Sequence, residues 1–340
     1  MIEGKSVITA YPPLVEVKDL RVHFVTRDYT IYAVNGVDLA LTPSEALAIL
    51  GESGSGKSVT LQALLRILPP HRAQISGSIT VAGKDILSLT EKEISAYRGK
   101  EVSMVFQEPM LALDPVFTIG QQIVETVRRH TGADTKKAEA RALEVLEMVQ
   151  IPSAKRRLHN YPHEMSGGMR QRAMIALALS CRPKILLADE PTTALDATVQ
   201  IQILLLLREL QKDLGMAVIF VTHDIGAAVE IADRIAVMYA GKIVETGSAR
   251  RVIKAAGHPY TQGLLISTAR GVIRGQRIDA ISGSPPDLSR PPQGCSFASR
   301  CKFVRQECET HIPGNTEITD GHQARCFLLS SRKAEGGEAF

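Results

Sequence analysis

The sequence contains a glycine-rich segment whose residue types and spacing suit it to hold phosphate groups. Residues 51–58 read Gly-Glu-Ser-Gly-Ser-Gly-Lys-Ser, a complete G-x-x-x-x-G-K-S pattern. Glycines in such a loop let successive backbone N–H groups turn towards phosphate oxygens, beside the positive end of the following helix. Lys57 is expected to reach the β- and γ-phosphates and the Ser58 hydroxyl to bind Mg²⁺. The predicted nucleotide-binding residues are Gly51, Ser53, Gly54, Ser55, Gly56, Lys57, Ser58 and Val59.

Two adjacent carboxylates, Asp189 and Glu190, follow an apolar run at residues 185–188. At the end of a buried strand, Asp189 would lie at the carboxyl edge of a sheet, beside the Mg²⁺. Glu190 would leave the same edge and act as a general base that polarises the attacking water. An apolar run ending in Asp-Glu is often only the end of a strand, so the pair gains its meaning from the phosphate loop. Together the two segments indicate a nucleoside triphosphatase.

The elements that must position these residues form a regular pattern. Residues 46–50 are a continuous apolar run, typical of a strand buried on both faces, and lead into the loop and an amphipathic helix that stops at Pro69-Pro70. Further on, strands alternate with helices, which predicts a parallel sheet covered on both faces. The predicted strands are 184–188, 217–221 and 234–238, and the predicted helices are 197–214 and 225–232. Upstream, half-buried strands are predicted at 14–17, 20–24 and 37–41, and the region from about 91 to 179 is mostly helical in pattern.

Composition narrows the class of protein. The 340 residues are 44% hydrophobic and 22% charged, an ordinary globular profile. No stretch approaches the roughly 18 consecutive apolar residues that span a bilayer, and the N-terminus shows no secretory pattern. We therefore expect a cytoplasmic protein whose membrane contacts come through a partner. The net charge of +4, the absence of a basic run, and 4% aromatic residues without tryptophan argue against nucleic acid as a partner.

Four further segments share their order with the motifs of one family. Residues 165–169 read Met-Ser-Gly-Gly-Met, and such a segment before a helix forms an anion site. Gln107 lies in Phe-Gln-Glu-Pro, Asp196 in Ala-Leu-Asp, and His223 in Val-Thr-His-Asp. Each motif alone has an ordinary structural explanation, such as a serine-capped helix. In this order and spacing they resemble the ABC ATPase family, whose signature usually reads Leu-Ser-Gly-Gly-Gln; methionine at the first and fifth positions is a departure.

That resemblance implies a fold and roles for individual residues. The fold would be α/β, a P-loop NTPase of the ABC cassette type over residues 13–262. It would have a RecA-like parallel-sheet core, an N-terminal antiparallel β subdomain and a helical subdomain at about 91–180. Gln107 would sense Mg²⁺ and the γ-phosphate of ATP, and His223 would contact the γ-phosphate. With Glu190, these two are the catalytic residues that the resemblance implies. Residues acting in trans, across a dimer of two cassettes, would be Ser166, Gly167, Gly168 and Asp196. The adenine would stack on Tyr29 or Tyr32, and both remain candidates.

The last part of the chain, residues 263–340, is rich in Gly, Pro, Ser and Cys and is predicted to be a loop-rich extension. Its cysteines have the spacing C-x5-C-x6-C-x17-C and are Cys295, Cys301, Cys308 and Cys326. With His-Pro-Tyr-Thr at 258–261, this tail resembles that of peptide and nickel importer ATPases. Structural zinc usually shows a tight C-x2-4-C pair, which is absent here. The resemblance favours a [4Fe–4S] cluster. Zinc and free or oxidisable thiols are alternatives. His311 and His322 are possible further ligands, although four cysteines already complete a ligand set.

The tail thus implies the ATP-hydrolysing subunit of a bacterial importer for dipeptides or oligopeptides. Its partners would be two transmembrane permease subunits, a second ATPase subunit that is identical or a paralogue, and indirectly an extracytoplasmic solute-binding protein. It would act at the cytoplasmic face of the inner membrane. Alternatives are an importer ATPase for nickel or another small solute, a redox sensor centred on the cysteines, and a soluble ABC ATPase acting on DNA or the ribosome. Cys181, at the end of an apolar helix, is expected to be a small core residue.

Overall fold

Two β-sheets organise the protein. The structure is a computed structural model that describes residues 12–193, 195–267 and 281–334. In chain order the strands are β1 (Val15–Val25), β2 (Thr30–Leu41), β3 (Ala46–Leu50), β4 (Ala73–Val81), β5 (Lys84–Asp85), β6 (Val102–Val105), β7 (Ile185–Asp189), β8 (Ala217–Thr222), β9 (Arg234–Tyr239), β10 (Lys242–Ser248), β11 (Thr316–Thr319) and β12 (His322–Ala324). One sheet has four strands in the order β2-β1-β4-β5, and the other has eight in the order β11-β12-β10-β9-β3-β8-β7-β6.

Helices cover the eight-stranded sheet. In chain order they are α1 (Lys57–Leu64), α2 (Glu91–Tyr97), α3 (Pro109–Ala112), α4 (Ile119–Thr131), α5 (Thr135–Met148), α6 (Ala154–Arg157), α7 (Gly167–Leu179), α8 (Ala197–Leu214), α9 (Ile225–Ile231), α10 (Ala249–Lys254), α11 (Pro259–Ser267), α12 (Gln306–Thr310) and α13 (Phe327–Ala334). No helix of the described residues is long and apolar enough to cross a membrane.

The four-stranded sheet is antiparallel and forms the predicted N-terminal β subdomain. Its strand β1 unites two predicted strands, 14–17 and 20–24, because a β-bulge between Val17 and Leu20 interrupts the alternation without ending the strand. Asp19 has a positive φ of 45° in this bulge. Gly77 of β4 passes so close to it that a Cβ there would lie 2.4 Å from the Asp19 carbonyl oxygen. The glycine is therefore required by the close approach of two backbones.

The eight-stranded sheet has the predicted parallel core. Strands β6, β7, β8, β3 and β9 pair in parallel, and every residue of β3, β7 and β8 is buried, as expected for strands covered on both faces. Its two faces belong to two hydrophobic cores. One core contains the antiparallel sheet and α1, and the other contains the helices α4, α5, α7 and α8. The fold is thus a P-loop NTPase architecture with the predicted antiparallel and helical additions.

The predicted helical region from about 91 to 180 is not helical throughout. Strand β6 lies within it, and Ile94 and Tyr97 of α2 pack in the core shared with the antiparallel sheet. The helices that pack on one another in the other core begin later, at α3 and α4. A four-residue buried strand carries no periodicity of its own, which explains why the sequence pattern missed it.

The C-terminal extension is more regular than the predicted loop-rich tail. Its strands β11 and β12 continue the central sheet, because Glu245 of β10 pairs with Ala324 and Thr246 pairs with Gln323. A buried hydrogen bond joins the same strands, with His322 Nε2 2.8 Å from a Glu245 carboxylate oxygen. The described part of the extension is therefore an integral edge of the cassette sheet.

Candidate functional site

The phosphate loop connects β3 to α1 and is tightly packed from behind. A Cβ on Gly51 would lie 2.2 Å from the Met238 carbonyl oxygen, and one on Gly56, which has φ +102°, would lie 2.4 Å from the Ala33 carbonyl oxygen. These two positions therefore require glycine. The N-terminal end of α1 presents its free backbone N–H groups from this loop, which is the arrangement that receives phosphate.

Lys57 is buried and its ammonium group is folded back onto the loop. Its Nζ donates hydrogen bonds of 2.9 Å to the carbonyl oxygens of Gly51 and Glu52. Burial lowers the pKa of Lys57, and the nearby carboxylates of Glu190, Asp189 and Glu52 oppose that shift. A phosphate oxygen that replaced one of these carbonyls would meet a cation already held at the loop.

The remaining predicted loop residues line the same turn. Ser53 and Gly54 are exposed, whereas Ser55 is buried and its carbonyl oxygen accepts a bond from the Gly241 N–H. The Ser55 Oγ is a buried atom without a hydrogen-bond partner among the described residues. Val59 is half-buried against the core that contains the antiparallel sheet.

Ser58 and Asp189 meet although 131 positions separate them. The Ser58 hydroxyl donates a hydrogen bond of 2.7 Å to Asp189 Oδ1 at the carboxyl end of β7. Asp189 is buried, and burial raises the pKa of its carboxyl group while the Ser58 hydroxyl opposes that shift. A hydroxyl and a carboxylate are oxygen ligands of the kind that Mg²⁺ takes beside phosphates. The structure thus brings both predicted Mg²⁺ ligands into contact.

Three side chains surround the carboxylate of Glu190. The Thr193 hydroxyl donates to Glu190 Oε2 at 2.9 Å, the His223 Nδ1 lies 3.3 Å from that oxygen, and the Gln107 Nε2 lies 3.5 Å from it. Glu190 itself has a positive φ of 43°, an uncommon conformation for a residue with a side chain. Gln107 follows β6 and His223 follows β8, so the three predicted catalytic residues converge at one sheet edge.

Thr193 was missed by the sequence reasoning. It lies in the turn three residues after Glu190, and its backbone N–H donates to the Glu190 carbonyl oxygen at 3.1 Å. Its hydroxyl contact with the carboxylate depends on that turn. The only available signal was a hydroxyl residue close in sequence to an expected general base.

Two of the predicted trans residues, Ser166 and Asp196, cap helices. The Ser166 side chain caps α7 by accepting from the Met169 N–H at 3.4 Å, and Asp196 caps α8 by accepting from Thr198 and Val199. Within the described ranges, no hydrogen bond or ion pair joins Ser166, Gly167 or Gly168 to residues 51–58. Ala194, which precedes Leu195 and Asp196 in the third of the matching motifs, lies outside the described residues.

The two candidate adenine-stacking residues differ in their surroundings. Tyr29 is 54% exposed at the turn between β1 and β2. Tyr32 is half-buried with its ring edge-on to His23 at a centroid distance of 4.5 Å. The Tyr32 N–H donates to the carbonyl oxygen of Leu288, a residue of the extension, at 2.9 Å. Tyr29 is thus the candidate with a ring open to a ligand.

The four cysteines of the extension line one small cavity of about 20 Å³. The Cys295 N–H donates to the Cys308 carbonyl oxygen at 2.7 Å, which fixes those two segments to each other. Burial raises the pKa of the thiols of Cys295, Cys301 and Cys326, that of Cys326 to about 11. No three His, Cys, Asp or Glu side chains of the described residues are arranged to hold a metal ion. The predicted ligands therefore share a cavity but do not form a closed ligand set.

The two histidines considered as alternative ligands are both engaged elsewhere. His322 is buried against Glu245, and His311 Nδ1 lies 2.8 Å from the Thr310 hydroxyl. Cys181 at the end of α7 is half-buried, with its sulfur 3.7 Å from the Thr126 carbonyl oxygen. Burial raises the pKa of the Cys181 thiol, which fits its expected role as a small packed residue.

This fold and these contacts define an ATP-binding cassette. Residues 34–193 match the ABC transporter family, and residues 244–308 match the oligopeptide/dipeptide transporter C-terminal region. The chain is similar to the dipeptide transport ATP-binding protein DppD of Bacillus subtilis (strain 168), with 46% identity across 94% of this chain and 96% of that protein. It is also 46% identical to the oligopeptide transport ATP-binding protein OppD of the same organism, across 96% of this chain and 92% of that protein.

Solved structures agree with this assignment. The dimeric post-hydrolysis ATP-binding cassette MJ0796, bound to ADP and Pi, is 31% identical and superposes with a TM-score of 0.62, covering 69% of this chain and 99% of that cassette. The chain belongs to the ABC transporter ATPases, in the branch that carries the oligopeptide/dipeptide transporter C-terminal region. It is accordingly an ATP-hydrolysing enzyme, with ATP as its substrate.

Proposed function

We propose that this chain is the ATP-binding and ATP-hydrolysing subunit of an importer for dipeptides or oligopeptides. The observation that carries the proposal is the C-terminal region at residues 244–308, which characterises oligopeptide and dipeptide transporters. Similarity to DppD and OppD extends over more than nine-tenths of the chain. An importer of nickel or another small solute is the alternative within the same branch.

Proposed roles for the site residues follow from the contacts. Lys57 and the loop N–H groups bind the phosphates, and Ser58 and Asp189 hold Mg²⁺ together with Gln107. Glu190 accepts a proton from the attacking water, and Thr193 and His223 hold the Glu190 carboxylate in place. His223 also contacts the γ-phosphate. These assignments are supported by the bonding of Ser58 to Asp189 and by the convergence of three side chains on Glu190.

A second cassette, identical or a paralogue, completes each ATP site in this proposal. Ser166, Gly167, Gly168 and Asp196 act in trans, where the positive N-terminal end of α7 receives the γ-phosphate held by the partner. Two cassettes close around two ATP molecules, and hydrolysis lets the dimer reopen. The binding energy of ATP drives closure, so the dimer is the two-state element of the machine.

The surface that follows Gln107 supports a membrane partner. Met110, Leu111, Val116 and Phe117 are exposed apolar side chains, and Leu111 is 83% exposed. Exposed apolar surface of this kind marks a protein interface. An open groove beside it is lined by Phe117 and by polar residues of α2 and α4. We propose that a cytoplasmic segment of one of the two permease subunits binds here and that the second cassette binds the other. The chain then acts at the cytoplasmic face of the membrane, and an extracytoplasmic solute-binding protein delivers solute to the permeases.

Reconstitution tests the transported solute. The chain is co-purified with its permease subunits, placed in proteoliposomes and supplied with the solute-binding protein. We expect labelled dipeptides or oligopeptides to enter in an ATP-dependent manner and to stimulate ATP hydrolysis. Glu190→Gln provides the control without turnover. Uptake of nickel without uptake of any peptide would overturn peptide import and establish the alternative.

We also propose that residues 13–262 and 263–340 form two functional units and that the second binds a [4Fe–4S] cluster. The proposal is supported by four thiols lining one cavity, a donor set that suits iron–sulfur chemistry. Bound there, the cluster would supply a covalent staple between segments of the extension. The residues that would hold it are Cys295, Cys301, Cys308 and Cys326.

Anaerobic purification tests the cluster. We expect a brown preparation containing iron and acid-labile sulfide, lost on Cys295→Ser and retained on Cys181→Ser, the matched control outside the cavity. Zinc with no visible absorbance would establish the zinc alternative. Cysteines that bind neither iron nor zinc would contradict both and leave free thiols.

A further inference from the structure

Arg300 of the extension forms an ion pair with Glu52, the second residue of the phosphate loop. Arg300 Nη1 donates to Glu52 Oε2 at 2.7 Å, and Arg300 Nη2 donates to Glu52 Oε1 at 3.0 Å. The ion pair is bidentate, and the Arg300 side chain is only 4% exposed. Glu52 follows the first glycine of the loop directly, so this contact joins the cysteine-containing extension to the nucleotide site.

The position of Arg300 is fixed independently of Glu52. Its Nε donates to the Ser282 carbonyl oxygen at 3.1 Å, and its Nη1 to the Tyr239 hydroxyl at 3.3 Å. The guanidinium also lies 5.8 Å from the Tyr239 ring centroid and 6.0 Å from that of Phe297. The guanidinium is therefore pre-positioned by the extension and β9, and Glu52 is held by it.

The backbone of Glu52 is held as firmly as its side chain. Its N–H donates to the Tyr260 hydroxyl at 2.9 Å, and its carbonyl oxygen accepts from Lys57 Nζ at 2.9 Å. A chain of contacts thus runs from Arg300 through Glu52 to the lysine that meets the phosphates. Movement of the Arg300 side chain would therefore shift Glu52 and the first half of the phosphate loop.

Charge gives the contact a second consequence. A carboxylate in a phosphate-binding loop repels a polyanionic ligand, and more strongly in a partly buried site than in water. Arg300 neutralises that carboxylate with a charge that cannot be removed at physiological pH. Without it, the loop would present an unpaired negative charge to ATP.

We propose that Arg300 is a positioning residue for nucleotide binding: it neutralises Glu52 and fixes the first half of the phosphate loop, so the extension sets the affinity for ATP. The proposal rests on residues 51–58 binding nucleotide and is independent of the solute transported. A binding assay on the full chain without permeases therefore tests it separately from peptide import.

The test compares variants of the full chain by calorimetric titration with MgATP, MgADP and adenosine. We expect Arg300→Met to weaken ATP binding about tenfold and ADP binding less, because unpaired charge acts on phosphates, with adenosine binding unchanged. Glu52→Gln in the same chain should restore ATP affinity to within about threefold of the unaltered protein, since it removes the unpaired charge. A merely structural defect would not depend on the number of phosphates.

Arg325→Met is the matched control. Arg325 also precedes a cysteine of the extension and pairs with a cassette carboxylate, that of Asp38 at 3.4 Å, but Asp38 lies outside the loop. We expect it to bind ATP normally. If Arg300→Met does not fold, Arg300→Gln with and without Glu52→Gln replaces it, with the same expected ratio. Unchanged ATP affinity after loss of the arginine, or no recovery in the double variant, would overturn the proposal.

Discussion

Replacement of Glu190 by glutamine should stop ATP turnover while leaving ATP binding intact. The amide has nearly the size of the carboxylate, so the 2.9 Å contact with the Thr193 hydroxyl can persist. An amide cannot accept a proton from water, and the loss of a positioned general base costs about 10²–10⁴ in rate. At 1.36 kcal/mol per factor of ten, this is about 3–5 kcal/mol of transition-state stabilisation.

MgATP binding should be unaffected by Glu190→Gln, because the neighbouring Asp189 is the carboxylate proposed to hold Mg²⁺. Asp189, not Glu190, is the one bonded to Ser58, and Lys57 is held by carbonyl oxygens of its own loop. Asp189→Asn should therefore weaken the affinity for MgATP. Glu190→Gln removes one negative charge near the phosphates, so its affinity for MgATP should equal or exceed that of the unaltered chain.

The assay measures phosphate release at saturating MgATP and equilibrium MgATP binding on the same preparations. Glu209→Gln, an exposed change on α8, is the control and should alter neither quantity. Hydrolysis by Glu190→Gln at the rate of the unaltered chain would refute the general-base role. A fall in MgATP affinity as large as that of Asp189→Asn would refute the division of labour between the two carboxylates.

Three further outcomes test the architecture around the site. Gly56→Ala should abolish ATP binding, because its Cβ would lie 2.4 Å from a main-chain oxygen of β2. Gly54→Ala, whose Cβ would have no atom within 4 Å, should lower the free energy of unfolding by only about 1 kcal/mol because of its positive φ. Thermal unfolding and ATP titration distinguish the two variants. His322→Leu should lower the free energy of unfolding in denaturant by about 1–3 kcal/mol, because it removes one hydrogen-bond partner of the buried Glu245 carboxylate. Burial lowers the pKa of His258 to about 4, so the unfolded chain binds the proton at a higher pH than the folded chain, and the free energy of unfolding should fall as pH drops from about 6.5 towards 4. His258→Asn, which keeps an acceptor for the Tyr260 N–H, should reduce that fall in unfolding titrations.

Local patterns were enough for the elements that carry the catalytic groups. The helix predicted at 197–214 has those bounds because Asp196 caps its first turn and Gly215 ends it in a left-handed conformation. Strand β3 was predicted with the right bounds since both its faces are apolar. What these elements bring together at the sheet edge followed from the general rule for parallel sheets.

Contacts between distant segments escaped the sequence reasoning. Strand β12 pairs with β10 across about eighty positions, and a three-residue strand has too little periodicity to be recognised. The bond between Arg300 and Glu52 spans 248 positions and has no local signature at either end. The sequence pattern therefore predicts a loop-rich tail, whereas the strands of the tail extend the sheet and its Arg300 bonds to the phosphate loop.

The contacts divide the ATP site into two parts, the first half of the phosphate loop and the surroundings of Glu190, and we expect substitutions near each part to change a different measured quantity. The extension bonds to the first half of the phosphate loop through Arg300, which contacts the side chain of Glu52, and Tyr260 of the adjoining helix α11 contacts the Glu52 backbone. Thr193, His223 and Gln107 contact the carboxylate of Glu190, the proposed general base, beyond the end of β7. No hydrogen bond or ion pair among the described residues joins the extension directly to Glu190. Changes in the extension should therefore appear in nucleotide affinity and changes around Glu190 in turnover, so a variant of the extension that altered turnover alone would require a connection that these contacts do not contain.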